Sequence, residues 1–296
     1  LVEGAPTLVQ VLRRDWFYFV PIAVLVWGVL KLDRPVFAGA IACLALIPMG
    51  LLRNRSPRAF VASVVAGLNN GMGQLVGVGI ACAVAGLVVG TLSMADLTGK
   101  ISSGMFTLAG GSYALTLLVA TVVIILLGMG MPTPAVYALS AVLAAPALLA
   151  LKIELLPAHL FIVYFASMSA ITPPVAVAAF AAASIARANP IAVAFVACRV
   201  GIVAFVLPLV FVNQPGLLLM GDAATVVTTI GFVLMGAMCL VIAFEGWLFG
   251  LVATPLRAAL VVLAIVLLAQ SGAARWGAAA TFLALVVWRY RRRSAA

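Results

Sequence analysis

From residue 101 to residue 151, between Lys100 and Lys152, the chain carries no charged side chain. A bilayer core about 30 Å thick is crossed by about 20 residues of helix, so this stretch is too long for one span and must turn back on itself. The turn falls at Gly128–Pro134, GMGMPTP, where glycines and prolines interrupt the apolar run. A second interruption, Ser169–Val175 with the sequence SAITPPV, follows in the next apolar segment. In hydrocarbon every freed backbone N–H and C=O must find a partner, so irregular chain persists there only when buried in protein or facing a cavity, ion or substrate. Two such breaks close in sequence point to a transport site.

Composition sets the class. Hydrophobic residues make up 66% of the chain and charged residues 8%, with a mean hydropathy of +1.31. Soluble domains are about one quarter charged, so this is an all-α polytopic membrane protein with almost no room for a soluble domain. The net charge of +10 does not indicate nucleic acid, because the basic residues stand singly or in short clusters between apolar spans rather than along one polar face. They act as orientation signals instead. Arg13, Arg14, Arg53, Arg55, Arg58, Arg187, Arg257, Arg289, Arg291, Arg292 and Arg293 can all be cytoplasmic if spans alternate between them. The opposite loops then hold the minor basic residues Lys31, Arg34, Lys100, Lys152 and Arg275.

Hydropathy predicts helices over 16–30, 36–52, 72–92, 102–127, 135–150, 159–187 with a break, 190–212, 225–246, 254–270 and 275–290. Residues 53–70 are expected to form an amphipathic connector, with Ser56 and Pro57 as the N-cap and first residue of a helix. The clearest loop is 213–224, which carries no basic residue. Cys43, Cys82, Cys198 and Cys239 lie singly in apolar helices without metal or redox spacing and are expected to be small buried thiols. The chain begins at Leu1 rather than Met, so residues are expected to precede it.

The arm 135–150 is about 24 Å long at 1.5 Å per residue, short of a full crossing, which favours a re-entrant hairpin over two complete spans joined by a tight turn. Both arrangements return the chain to the same face, so charge bias does not separate them. In the second break, Pro173 lies halfway between His159 and Arg187, near the expected bilayer midplane. Pro173 and Pro174 lack N–H donors and are expected to free carbonyls about one turn earlier, where Ser167, Ser169 and Thr172 add hydroxyls. Such neutral oxygens suit a small cation such as sodium; the alternative is a proline kink with serines bonded back to the helix. No Asp or Glu lies between Asp96 and Glu154 or between Glu154 and Asp222, which disfavours a proton relay. Thr133, opening the second arm, suits either a cation or an anionic substrate facing a helix N-terminus. Arg199, the one charge deep inside a predicted helix, either steers an anion or snorkels and bonds carbonyls of the broken helix. His159 is expected at an interface, and the terminal RYRRR anchors the last helix inside.

The stretches GMGMPTPAVYAL and AHLFIVYFASMSAITPPVAVAAFAAASIARANP, flanked by CAVAGLVVGTLSMADLTGKIS and CRVGIVAFVLPLVFVNQPGLLLMG, resemble the large membrane subunit of tripartite ATP-independent periplasmic (TRAP) transporters of the fused permease type. The resemblance covers about 57–270. It implies an elevator-type secondary transporter with two inverted repeats, each holding a hairpin followed by a broken helix, in the bacterial inner membrane. Its implied sodium and carboxylate site is Gly128, Gly130, Met131, Pro132 and Thr133 at the hairpin tip, with Ser169, Ala170, Thr172, Pro173 and Pro174 at the break. It also implies an extracytoplasmic solute-binding protein and a small membrane subunit or fused equivalent as partners, and no cofactor besides sodium. Only one hairpin and one broken helix are present, so this chain is expected to be the C-terminal portion of a longer permease. The expected organisation is 1–56 as helices linking to the first repeat, 57–213 as transport core with hairpin 102–150, broken helix 159–187 and helix 190–212, and 214–296 as C-terminal membrane helices. An enzyme is disfavoured because the spans lack paired acids, a His cluster or a nucleophile beside a base. The missing repeat leaves a non-transporting scaffold or assembly subunit, or a related ion transporter without a binding protein, as alternatives.

Overall fold

A computed structural model describes residues 16, 19–32, 34–53, 56–269 and 272–294. Arg13, Arg14 and Arg55, used above as orientation signals, lie outside that set. The chain divides into two compact units, Leu1–Val76 and Gly77–Ala296.

In the first unit, α1 (Phe19–Leu32) packs on α2 (Pro35–Arg53). Ala38 and Ala42 are buried, while Trp27, Leu30 and Phe37 are exposed, as small residues at helix contacts and large ones toward lipid require. Gly50 leaves room for the Phe60 ring, which any side chain there would strike. The expected connector 53–70 is not a separate element. One helix, α3, runs from Pro57 to Met94 across the boundary between the units. It begins where Ser56–Pro57 predicts, with the Phe60 N–H donating to the Ser56 carbonyl at 3.1 Å, and no proline or left-handed residue stops it before Asp96.

In the second unit the expected helix 102–127 is two helices, α4 (Leu97–Leu108) and α5 (Tyr113–Leu127). Gly110 and Gly111 sit at φ +58° and +70°, a left-handed pair that ends α4 because a side chain there would be strained. After the tip come α6 (Thr133–Ala150), α7 (Leu155–Met168), α8 (Val177–Ala186), α9 (Pro190–Val200) and α10 (Ile202–Asn213), the last two interrupted at Gly201 where one helix 190–212 was expected. Between α8 and α9 the axis bends by 116°. Helices α4 to α7 enclose Ile124, Val136, Leu148, Phe161 and Phe165, and the Ser102 hydroxyl ties α4 to α6 by donating to the Leu143 carbonyl at 2.7 Å. Three further helices complete the unit: α11 (Ala223–Glu245), α12 (Thr254–Leu268) and α13 (Gly272–Ser294). They share a core of Phe232, Cys239, Leu260, Leu267 and Phe282, against which Ile202 and Val206 of α10 also pack.

The exception to the charge bias at Arg275 has a structural cause. Its guanidinium donates to the Leu267 carbonyl at 3.0 Å and to Gln214 Oε1 at 2.6 Å, and it stacks 4.7 Å above the Phe232 ring. Arg275 closes the C-terminus of α12 rather than serving as a free loop charge. Among the described residues three helices, Arg58–Met94, Thr133–Ala150 and Ala223–Glu245, are long and apolar enough to cross a membrane, and the bent pair Val177–Ala186 with Pro190–Val200 passes together. No strand forms among the described residues beyond the isolated bridge Trp247 to Leu251. The fold is all-α and polytopic, with two helix breaks meeting inside the second unit.

Candidate functional site

The hairpin tip spans Gly128–Pro132, between α5 and α6. Gly128 closes α5, its N–H donating to Ile124 and Ile125 carbonyls at 2.9 and 3.1 Å, and Gly130 takes φ +82°, which favours glycine. Pro132, extended at φ −62° and ψ 139°, leads into Thr133, and Thr133 and Pro134 start α6. The second break spans Ser169–Ala176, between α7 and α8.

The two breaks touch. The Ser169 hydroxyl, 3% exposed, lies 3.0 Å from the Gly128 carbonyl and 2.7 Å from the Ala166 carbonyl, with one proton to share between them. A methyl group at Gly128 would fall 2.5 Å from Ser169 Cβ and 3.2 Å from the Ile124 carbonyl, so only glycine permits this approach. Two residues along the tip, a methyl on Gly130 would lie 3.6 Å from Val175 Cγ1. Residues 128–130 therefore face 169–175.

The backbone at the break is only partly repaired. Sequence reasoning expects Pro173 and Pro174 to free the carbonyls one turn earlier, yet the Ser169 carbonyl accepts from Thr172 N–H at 3.3 Å and the Ala170 carbonyl from Ala178 N–H at 2.9 Å. The chain folds back far enough for residue 178 to supply the donor that the prolines lack. Within the two breaks, the carbonyls of Pro173, Pro174 and Val175 and those of Met129, Gly130 and Met131 take no hydrogen bond from the described residues. Their oxygens belong to two segments that touch at Gly128 and Ser169.

The three hydroxyls near the break donate to backbone: Ser167 to the Val163 carbonyl at 2.9 Å, Thr172 to the Met168 carbonyl at 2.7 Å, and Ser169 as above. Each keeps acceptor lone pairs after donating its single proton, which is what a cation requires of a hydroxyl. Gly130 is exposed, Met131, Pro132, Thr133, Ala170, Thr172 and Pro173 are half-buried, and Pro174 is exposed.

Three contacts around the site escape sequence reasoning. Cys198 on α9 donates its thiol to the Ile171 carbonyl at 3.3 Å, anchoring the break from outside, and a methyl on Gly201 would lie 3.3 Å from Ile171 Cδ1. A lone cysteine 27 residues away in sequence gives no signal of that role. Arg199 stands in the last turn of α9 and is half-exposed, with its guanidinium 3.3 Å from a Glu245 carboxylate oxygen and 3.4 Å from the Glu245 carbonyl. It is part of an ion pair with the end of α11 rather than an isolated charge deep in a long helix; the interruption at Gly201 is why the expected depth does not apply. His159 Nδ1 lies 2.9 Å from the Tyr137 hydroxyl, so the histidine joins α7 to α6.

Comparison with known proteins gives one family. The model described as Tripartite ATP-independent periplasmic transporter, DctM component, matches residues 3–226, taking in both breaks and ending inside α11. No curated protein and no solved structure matches the chain. With apolar helices throughout, two touching helix breaks and a family match over most of its length, the chain belongs to the DctM family, the large membrane component of tripartite ATP-independent periplasmic transporters.

Proposed function

We propose that the hairpin tip and the broken helix are this chain's contribution to a sodium and carboxylate site in a secondary symporter. The observation that carries the proposal is the pairing of Gly128 with Ser169, which sets two groups of donor-free carbonyls, at 129–131 and 173–175, on adjoining segments. Neutral carbonyl and hydroxyl oxygens at an unwound helix are the donor set that discontinuous membrane helices offer to sodium. The N-terminal end of α6 at Thr133 supplies the positive end of a helix dipole, which suits a carboxylate without a charged side chain. In this scheme Thr172 and Ser169 offer hydroxyl oxygens, and Cys198 holds the Ile171 carbonyl so that the break keeps its shape. Arg199, held by Glu245, positions α9 instead of meeting substrate.

The membrane component works with an extracytoplasmic solute-binding protein that delivers the carboxylate, and with a small membrane subunit or fused equivalent, in the bacterial inner membrane. Uptake of a radiolabelled panel of dicarboxylates, keto acids, amino acids and sialic acid, measured with and without a sodium gradient, tests this. Uptake should require sodium, and Thr172→Val should raise the sodium concentration for half-maximal rate roughly tenfold, the weight of about one lost hydrogen-bonding group. Uptake that continues unchanged without sodium would sink the coupling.

A further inference from the structure

At the base of the hairpin, the end away from the tip, a cavity of about 260 Å³ opens between the start of α5, the α6–α7 turn and the end of α10. Its walls carry two chemistries: Lys152 and Glu154 are charged, while Ile153, Pro157 and Val212 are aliphatic and Tyr113 is aromatic. The volume falls just under the ~300–1,000 Å³ of drug-sized sites, so a small molecule is the fitting occupant. Charge bias sets Lys152 on the side opposite Arg187 and Arg257, outside the cytoplasm.

Both charged residues occupy positions where local structure prefers another residue. Lys152 follows the C-cap of α6 at φ +62°, its N–H donating to the Leu149 carbonyl at 2.9 Å; glycine is the usual residue there, and lysine holds the left-handed backbone at a conformational cost. Glu154 stands at the N-cap of α7, where Ser, Thr, Asp or Asn is preferred, and its carboxylate makes no cap hydrogen bond. Ile153 between them is buried, whereas Lys152 and Glu154 are exposed. Neither charged side chain pairs with the other or with any described residue. Two opposite charges that neither helix end uses, both lining one cavity, are left for a ligand.

We propose that this cavity binds a small zwitterion of the α-amino-acid type, its carboxylate on the Lys152 ammonium, its ammonium on the Glu154 carboxylate and a short aliphatic side chain against Ile153, Pro157 and Val212. A carboxylate alone would meet the like charge of Glu154, and an amine alone that of Lys152, so a ligand carrying both groups is selected. The site lies at the other end of the hairpin from the paired breaks and stands independently of sodium coupling.

The test is equilibrium dialysis of radiolabelled L-leucine against the purified full chain in sodium-free buffer, with 4-methylpentanoate and 3-methylbutylamine as competitors that each lack one of its charges. Leucine should bind saturably, and each competitor should need roughly tenfold or more the concentration of unlabelled leucine to displace it. Lys152→Gly and Glu154→Ser should each weaken binding roughly tenfold or more while keeping or raising the melting temperature, because glycine relieves the left-handed turn and serine caps α7. Lost binding in a variant that is no less stable excludes misfolding as the cause. No saturable leucine binding overturns the proposal, as does an analogue that competes as well as leucine, or either variant binding as the wild type does. Leucine binding that requires sodium or is lost in Thr172→Val would move the amino acid to the paired breaks and overturn the assignment to this cavity.

Discussion

Gly128→Ala should disrupt the transport site more than any other substitution of one hydrogen by a methyl in the hairpin. The added methyl would sit 2.5 Å from Ser169 Cβ and 3.2 Å from the Ile124 carbonyl, both too close for a real contact. Relief requires the two breaks to separate, which costs the overpacking penalty of about 1–3 kcal/mol and the Ser169 to Gly128 hydrogen bond, about 1 kcal/mol. Together these amount to about 2–4 kcal/mol. At about 2–4 °C per kcal/mol for a chain of this size, the melting temperature of the purified protein should fall about 5–15 °C. Gly104→Ala in α4, where a methyl meets nothing within 4 Å, is the control and should be neutral or slightly stabilising. Ser169→Gly removes the atoms that collide, so Gly128→Ala/Ser169→Gly should be less destabilised than the sum of the two single variants. Strict additivity in that cycle, or an unchanged melting temperature for Gly128→Ala, would refute the close approach of tip and break.

Arg275→Gln should lower the melting temperature by removing the cap on the Leu267 carbonyl and the partner of Gln214, at a cost of about 1–3 kcal/mol, read by thermal denaturation and by faster amide exchange at the end of α12. Arg199→Gln should cost no more than about 1 kcal/mol, since both partners are half-exposed, and the swap Arg199→Glu/Glu245→Arg should restore what is lost; a deficit that survives the swap would assign Arg199 a role outside the pair. The Thr225 hydroxyl and N–H hold the Asp222 carboxyl below its usual range at the start of α11. With the folded value depressed, the cap is complete above the unfolded carboxylate value of about 3.9 and fades as pH falls through the folded one. Amide protection in the first turn of α11 should drop over that acidic window and become pH-independent in Asp222→Asn; a flat wild-type profile contradicts this.

The helix starts and stops that rest on strong local chemistry were legible in the sequence: Ser56–Pro57 before α3, the GMGMPTP tip, the loop before Asp222 and the three C-terminal helices all lie where residue type dictates. The interruptions at Gly110–Gly111 and Gly201 were not, because glycine inside an apolar run is compatible with a continuing helix and only the backbone angles and packing decide. At the site, proline marked the break correctly, but which carbonyls stay without donors depended on a fold-back that brings Ala178 to Ala170. Cys198 and Glu245 were invisible as partners of Ile171 and Arg199, since both contacts join elements far apart in the chain.

The most direct test of the central claim is equilibrium binding of radioactive sodium to the purified full chain, with no substrate or binding protein present. Saturable sodium binding that weakens roughly tenfold in Thr172→Val and in Gly128→Ala, and is unchanged in Gly104→Ala, is the predicted result. Saturable binding that is indifferent to both site variants, or no saturable sodium binding at all, would contradict the assignment of the paired breaks as a sodium site.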